Sequence, residues 1–210
     1  MGRPKEHDDG TRLQLLDAAE QLLAREGPEG LTVRAVADAI GVTTRAVYST
    51  FGGKEGLIRG LYLRGFEMLG SITRALPRSG DPEEDLREGS LAAYRAFAIE
   101  HPQLYRVMFE TLFPEFEPTI EDSIEALDAL ASLRELITRC ADGGSWPESD
   151  VDVLTLALWS ALHGLVSLEH AGQLGPPDDA LAIWRLQCAA LVDGYRVRAR
   201  PDRARQRQSR

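Results

Sequence analysis

The sequence predicts an all-α protein with an N-terminal three-helix helix-turn-helix DNA-binding domain and a larger C-terminal helical bundle. Apolar residues recur at helical spacing along nearly the whole chain, and no alternating apolar and polar run indicates a strand. Gly and Pro divide this pattern into about nine segments. A length of 210 residues is sufficient for one large domain or two small ones with a hydrophobic core.

The predicted helices follow directly from the periodicity and from residues that start or stop a helix. Thr32, Thr43 and Asp81 are placed to cap helices, and Gly41 is placed to turn the chain. The helices are expected at about residues 11–26, 32–39, 43–50, 54–76, 82–100, 102–113, 119–140, 148–171 and 177–198.

Three segments of different function are expected along the chain. Residues 1–53 form the predicted helix-turn-helix domain, with a core at 11–53 and its second short helix at about 43–50. Residues 54–198 form the predicted larger C-terminal helical domain. The Arg-rich tail at 199–210 has the composition of a disordered segment.

Composition limits the class of protein. Apolar residues make up 43% and charged residues 27%, which is typical of soluble globular proteins. No apolar run of about 18 residues predicts a membrane span, and the polar N-terminus lacks a secretory signal. Cys140 and Cys188 match no metal-ligand spacing. They are expected to be reduced thiols in a cytoplasmic protein that binds no metal and no other cofactor.

The net charge of −9 is unevenly distributed. Residues 61–195 carry 9 basic and 23 acidic side chains, whereas residues 1–60 carry 8 and 9. Residues 196–210 carry 7 Arg and 1 Asp. Because the acidity lies in the middle of the chain, the average charge does not exclude a local DNA-binding face near the N-terminus.

Residues 31–57 contain the strongest functional pattern, LTVRAVADAIGVTTRAVYSTFGGKEGL. Its apolar positions predict two short helices that pack inward, and its small polar residues and one Arg lie outward at the start of the second helix. Arg can bind guanine with two hydrogen bonds, and Thr can contact a base edge or a thymine methyl group. Other side chains suit phosphate contacts, which orient a protein on DNA. The predicted DNA-binding residues are Thr32, Arg34, Thr43, Thr44, Arg45, Tyr48 and Lys54.

This stretch resembles the DNA-binding domain of the tetracycline-repressor (TetR) family. The resemblance covers about residues 11–60 and implies a homodimer that binds a double-stranded DNA operator. It implies that residues 1–53 are the DNA-binding domain, with a recognition helix at about 43–50, and that residues 54–198 are the effector-binding and dimerisation domain. The departures from the family pattern are Ile40, Thr43 and the pair Gly52–Gly53; Thr43 retains a capping hydroxyl, whereas Gly53 offers no side chain to cap the next helix. The alternative is a purely structural helical hairpin. The matching residues are Thr32, Val36, Ala37, Ile40, Gly41, Val42, Thr43, Tyr48, Phe51, Lys54 and Leu57.

The last two long helices are the candidate dimer interface. Residues 153–168 are apolar almost all the way round, which predicts burial on every side. In resembling proteins these helices form a four-helix interface, and a two-fold dimer suits a palindromic operator. The alternative is an intramolecular core. The predicted interface residues are Leu158, Leu162, Leu165, Leu181, Trp184, Cys188, Leu191 and Tyr195.

An effector pocket is the remaining prediction. Trp159, His163 and Gly164 form a Trp-x-x-x-His-Gly motif that resembles the C-terminal domain of one TetR branch. The motif and the aromatic residues of the middle segment can form a pocket wall, but residues of these types at helical spacing are more often part of ordinary helix packing. The predicted pocket residues are Phe66, Tyr94, Phe97, Tyr105, Met108, Phe109, Phe113, Trp159 and His163.

Together these features predict a ligand-responsive transcriptional regulator, a repressor that binds a palindromic operator as a homodimer and contacts no membrane. The alternative is a helical interaction or adaptor protein without specific DNA binding. An enzyme is not expected, because the sequence contains no Gly-rich phosphate loop, nucleophile elbow or paired Cys motif. His163 and His170 are roughly two helical turns apart, about 10.5 Å, whereas helical metal-binding His pairs are four residues apart.

Overall fold

The computed structural model describes residues 6–76, 78–144, 146 and 150–196, and in these residues the chain is helical without strands. The all-α prediction is confirmed. The α-helices are α1 (Glu6–Gly30), α2 (Val33–Ala39), α3 (Thr44–Phe51), α4 (Lys54–Ala75), α5 (Pro82–Gly89), α6 (Ala96–Glu100), α7 (Pro102–Phe109), α8 (Ile120–Asp142), α9 (Val151–His170) and α10 (Pro177–Tyr195). The Arg-rich tail lies outside the described residues.

Three elements differ from the predicted ones. The helix expected at 102–113 ends four residues early, at Phe109, where Glu110 turns to an extended backbone conformation. The segment expected as one helix at 82–100 consists of α5, a π-helical segment at Ser90–Arg95, and α6. A π-helical turn keeps the chain helical without Gly or Pro, so periodicity alone does not reveal it. Helix α1 starts five residues earlier than expected and continues past Gly27, whose φ of 71° and ψ of −171° interrupt the helical backbone.

The described chain forms two compact units. One consists of the chain up to Ala75 together with Ala93–Ser132, and the other consists of Leu76–Ala92 together with the chain from Leu133 onward. Helix α4, which was expected to start the C-terminal domain, belongs to the first unit. The functional boundary at residue 53 stays a prediction.

The first unit has a core that fixes the two short helices. Helix α1 contacts α2, α3, α4 and α7, and α4 contacts α7. Leu15, Val36, Val47 and Leu61 are fully buried. Burial of one such side chain stabilises the fold by about 1.5–3 kcal/mol. Since α2 and α3 have 7 and 8 residues and are too short to be stable alone, their positions depend on this packing.

The second unit is held by apolar packing and by polar contacts of α5. Asp81 accepts hydrogen bonds from the backbone N–H groups of Glu83 and Glu84, each at 3.1 Å, so the predicted cap is confirmed. The buried Glu83 carboxylate accepts a hydrogen bond from Arg196, which follows α10. Trp184 is fully buried, and its Nε1 donates to Glu169 at 2.7 Å.

The two cysteines are free and buried in the second unit. Burial raises the pKa of each thiol to about 11. At neutral pH both are therefore protonated, and a protonated buried thiol is a poor nucleophile.

The predicted dimer-interface residues lie mostly inside the second unit. Five of them have at most 8% of their surface exposed, and so their side chains are covered by their own chain: Leu158, Leu162, Leu165, Trp184 and Cys188. Leu181, Leu191 and Tyr195 are half-buried. A helix that is apolar all round has an inner and an outer face, and composition does not distinguish them. The exposed apolar side chains of α9 and α10 are instead Val153, Leu156, Leu168, Ile183 and Leu186.

Candidate nucleic-acid interface

The turn between α2 and α3 is closed by backbone hydrogen bonds. The Gly41 N–H donates to Asp38 O at 3.2 Å, and the Val42 N–H donates to Ala37 O at 3.0 Å. This is the Schellman pattern, which requires a left-handed residue just beyond the helix end. Gly41 provides it with a φ of 69°. The chain thus leaves α2 in a fixed direction and enters α3 at Thr44, after a connection of four residues.

Helix α3 has one buried and one exposed face. Val47 is fully buried, and Ala46 and Phe51 are partly buried. The exposed side chains are Thr44, Arg45, Tyr48 and Ser49, together with Thr43 just before the helix. Tyr48 has 58% of its surface exposed, which is a large fraction for an aromatic side chain. The predicted outward orientation is confirmed, whereas contact with DNA stays a prediction.

The two threonines before the short helices differ in their roles. Thr32 Oγ1 accepts a hydrogen bond from the Ala35 N–H at 3.1 Å and so caps α2. Thr43 occupies the corresponding position before α3, but its side chain makes no capping hydrogen bond. The prediction that the Thr43 hydroxyl caps α3 is wrong. Because this hydroxyl is exposed and not used by the helix, it is available to a ligand in front of α3.

The Gly52–Gly53 pair is explained by the backbone between α3 and α4. Gly52 has a φ of 76° and Gly53 a φ of 144°, conformations that residues with a side chain rarely adopt. The Gly52 N–H donates to Tyr48 O at 2.8 Å, and Gly53 O accepts from the Leu57 N–H at 3.1 Å. The pair therefore closes α3 and starts α4, without a side chain to cap α4.

Lys54, one of the predicted DNA-binding residues, forms an ion pair within the chain. Its Nζ lies 3.0 Å from Glu115 Oε1 and 5.5 Å from the centre of the Phe113 ring. A backbone hydrogen bond within Glu115 and the hydrogen bond from Lys54 lower the pKa of this carboxyl group. Arg34 pairs with Asp38 at 3.7 Å on the open surface of α2. Arg45 has no ion-pair partner among the described residues.

Comparison with known proteins assigns the chain to a family. A family model for bacterial regulatory proteins of the tetR family matches residues 15–61, which contain α2, the turn and α3. A second model, a tetracyclin repressor-like C-terminal domain, matches residues 88–191. The chain belongs to the TetR family. It is therefore a DNA-binding transcriptional regulator.

Curated relatives agree with this TetR-family assignment, and a solved structure shares the fold. An uncharacterized HTH-type transcriptional regulator of Mycobacterium tuberculosis is 27% identical over 80% of this chain and 74% of that protein. The HTH-type transcriptional repressor AcnR of Corynebacterium efficiens is 26% identical over 75% and 80% of the two chains. A Rhodococcus sp. RHA1 protein of unknown function shares the fold, with a TM-score of 0.76 at 22% identity over 88% and 94%.

The predicted effector residues of this TetR-family chain lie in both units. In the first unit the aromatic rings pack on one another: Phe109 lies 5.4 Å from Phe66 and 4.8 Å from Tyr105, measured between ring centres. The Tyr94 and Tyr105 hydroxyls are 3.0 Å apart. Burial is the main cause that raises the pKa of Tyr105, and the neighbouring Tyr94 raises it further. The remaining members of this set, Phe97, Met108 and Phe113, are also buried.

The Trp-x-x-x-His-Gly motif lies apart from that cluster, on α9 in the second unit. The rings of Trp159 and His163 are 5.9 Å apart, and both residues are partly buried. A cavity of about 500 Å³ in this unit is lined by other residues, among them Arg134, Thr138 and Asp152. The resemblance of the motif to one TetR branch, and a role in effector binding, stay predictions.

Sequence reasoning missed the partners of Lys54. Phe113 and Glu115 lie about 60 positions further along the chain, in the connection between α7 and α8. No local motif in the connection indicates that it returns to the start of α4. Only the fold brings it there.

The two threonines provide a test of the capping assignment. Thr32→Ala removes a hydrogen bond that satisfies a helix N–H, so we expect it to lower the free energy of unfolding by about 1 kcal/mol. Thr43→Ala removes no such bond and should cost less than about 0.5 kcal/mol. Urea unfolding followed by circular dichroism measures both. Equal losses for the two variants would contradict the assignment.

Proposed function

We propose that this chain is a ligand-responsive repressor that binds a palindromic double-stranded operator as a homodimer in the cytoplasm. The observation that carries the proposal is the outer face of α3, where Thr44 and Arg45 are exposed at the start of a helix that Val47 holds in the core. A helix presented in this way fits the major groove, where each base pair shows a distinct pattern of donors and acceptors. The name of AcnR, a transcriptional repressor, supports repression.

The proposed contacts divide into two kinds. Arg45 binds a guanine, and Thr43 and Thr44 contact base edges or a thymine methyl group. The side chains of Thr32, Arg34, Tyr48 and Lys54 contact phosphates and orient the protein on the duplex. The backbone N–H groups at the start of α2 favour a phosphate near Thr32 and Arg34.

The homodimer is supported by the outer face of the second unit. Val153, Leu156, Ser160, Gly164 and Ser167 follow one another at helical spacing on α9, and all are exposed. Gly164 has no neighbour within 4 Å of the position that a Cβ atom would occupy, so another helix could approach closely there. On α10, Leu186 is 72% exposed. Burial of such a stripe against a second copy removes apolar surface from water.

Helix α9 is long and apolar enough to cross a membrane by length and composition, with a mean hydropathy of 1.6. Only 33% of its most apolar window is buried. We assign the uncovered part to a second copy of the chain rather than to lipid, because α9 lies within the matched C-terminal domain of a DNA-binding family.

An effector completes the proposed function, and the aromatic cluster of the first unit is its proposed site. The cluster is apolar, with the paired hydroxyls of Tyr94 and Tyr105 as a polar group, which is the composition of a small-molecule pocket. In the described structure the aromatic rings fill the interior of the cluster, so an effector has to displace them to bind there.

An effector can release DNA only if it binds more tightly to a dimer conformation in which the two recognition helices have a different spacing.

Other classes of function are less well supported. An adaptor without DNA binding would not need an exposed Arg45 at the start of α3. The curated relatives are named as regulators, and we propose that the chain is not an enzyme. Among the residues that the structure describes, no group of three His, Cys, Asp or Glu side chains is placed to hold a metal ion.

Two substitutions separate base contact from phosphate contact. We expect Arg45→Ala to weaken binding to the selected operator by about 1–3 kcal/mol and to relax base preference at one position of each half-site. Lys54→Ala should weaken binding to operator and random duplexes about equally. Fluorescence anisotropy with both duplexes measures the difference. Arg25→Ala, which removes an exposed arginine of α1, is the matched control and should leave base preference unchanged.

If Arg45→Ala and Lys54→Ala lost the same affinity on both duplexes, these roles would be wrong. If the wild-type protein bound neither duplex at low salt, the DNA-binding function itself would be contradicted for this chain.

The dimer interface is tested by adding charge to the exposed stripe. We expect Leu156→Glu and Leu186→Glu each to shift the protein from dimer to monomer, because an unpaired carboxylate in an apolar interface is costly. Gln173→Glu adds the same charge at an exposed position after α9 and should leave the dimer intact. Sedimentation velocity measures the oligomeric state. A monomeric wild type, or dimers of all three variants, would exclude this interface.

A further inference from the structure

The proposed phosphate contact Lys54 is held by two side chains of one segment, the α7–α8 connection (residues 110–119). The Glu115 carboxylate lies 3.0 Å from its ammonium group, and the Phe113 ring lies 5.5 Å from it. We propose that Glu115 is an internal competitor for DNA: its carboxylate occupies Lys54 where a backbone phosphate would, and so it weakens binding to every duplex. This inference rests on the proposed phosphate role of Lys54.

The position of Glu115 is fixed by the packing of the α7–α8 connection against α4. Phe113 is 4% exposed, and the Phe116 ring lies 5.7 Å from the Tyr62 ring of α4. The Phe116 N–H donates to Phe113 O at 3.0 Å and closes the turn that contains Glu115. The carboxylate is therefore positioned near the start of α4 by the buried Phe113 on one side and the partly buried Phe116 on the other.

The end of the connection is anchored to the same helix. Asp122 Oδ2 accepts a hydrogen bond from the Thr119 N–H at 2.8 Å, and Thr119 Oγ1 accepts from the Asp122 N–H at 3.2 Å. This reciprocal pair caps α8. The same Asp122 oxygen lies 3.0 Å from Arg59 Nε of α4. This ion pair places the end of the connection beside the first turns of α4, although Arg59 Nε makes no hydrogen bond with a described residue.

The lysine and its carboxylate partner remain accessible. The Lys54 side chain is 39% exposed and that of Glu115 is 50% exposed, so a phosphate can reach the ammonium group. Glu115 and a phosphate are both anions, and they repel each other when they share one ammonium group. Water weakens this repulsion. An exposed ion pair contributes little free energy, so we expect Glu115 to change the DNA-binding constant by roughly 1.5- to 5-fold. Arg45 makes no ion pair with a described residue, so the competition affects the phosphate contact and leaves the base contact alone.

Glu115→Gln tests the competition because it keeps the shape and removes the charge. We expect it to tighten binding to operator and to random duplexes by roughly two- to fivefold for each Lys54 contact. Binding should also become steeper in salt, by up to about 0.9 in the slope of log K against log salt for each protomer. Glu117→Gln is the matched control, because Glu117 belongs to the same connection, is exposed, and makes no ion pair with a described residue.

A double-mutant cycle identifies the partner. In a Lys54→Met background, which keeps the aliphatic stem over Phe113, Glu115→Gln should no longer change affinity or salt slope. The inference is overturned if Glu115→Gln and Glu117→Gln have the same effect, or if the effect of Glu115→Gln persists without Lys54. These results can be distinguished from failure of the proposed function. In that case the wild-type protein binds no duplex, and Lys54→Met changes no affinity.

Discussion

Burial of one face of α3 is the constraint on which the candidate interface depends. Val47 is fully buried, and the Schellman turn at Gly41 delivers the chain to α3 in a fixed direction. An eight-residue helix is not stable alone, so its contacts with α1, α2 and α4 decide whether it exists. Because the inner face is fixed, the outer face is fixed too. Thr44, Arg45 and Tyr48 thus become a rigid surface rather than three polar residues of a loop.

A second consequence concerns electrostatics. The chain carries a net charge of −9, yet its family makes it a DNA-binding regulator. The acidity reaches the start of α4, because Glu115 lies against Lys54. If Lys54 contacts a phosphate as we propose, a carboxylate beside it lowers affinity without altering the base contacts that give specificity.

The sequence was sufficient for α2, α3 and α4 because the information that defines these helices is local. Periodicity placed α2, α3 and α4 within one or two residues, and the turn glycine and the cap at Thr32 were identified from their positions. Thr43 was misjudged because a capping residue type does not ensure a capping rotamer. The exposed face of α9 could not be predicted, because a helix that is apolar all round has no pattern that distinguishes its faces. The Glu115 contact depends on a return of the chain across about 60 positions, which no local pattern encodes.

The most direct test of the account is whether the protein reads the major groove. Duplexes that bind the full-length protein can be selected from a random pool and then probed with dimethyl sulfate, which methylates guanine N7 in that groove. We expect an inverted repeat in which a guanine N7 of each half-site is protected. No enriched sequence, or an enriched sequence whose guanines remain fully reactive, would contradict the claim that α3 is a recognition helix.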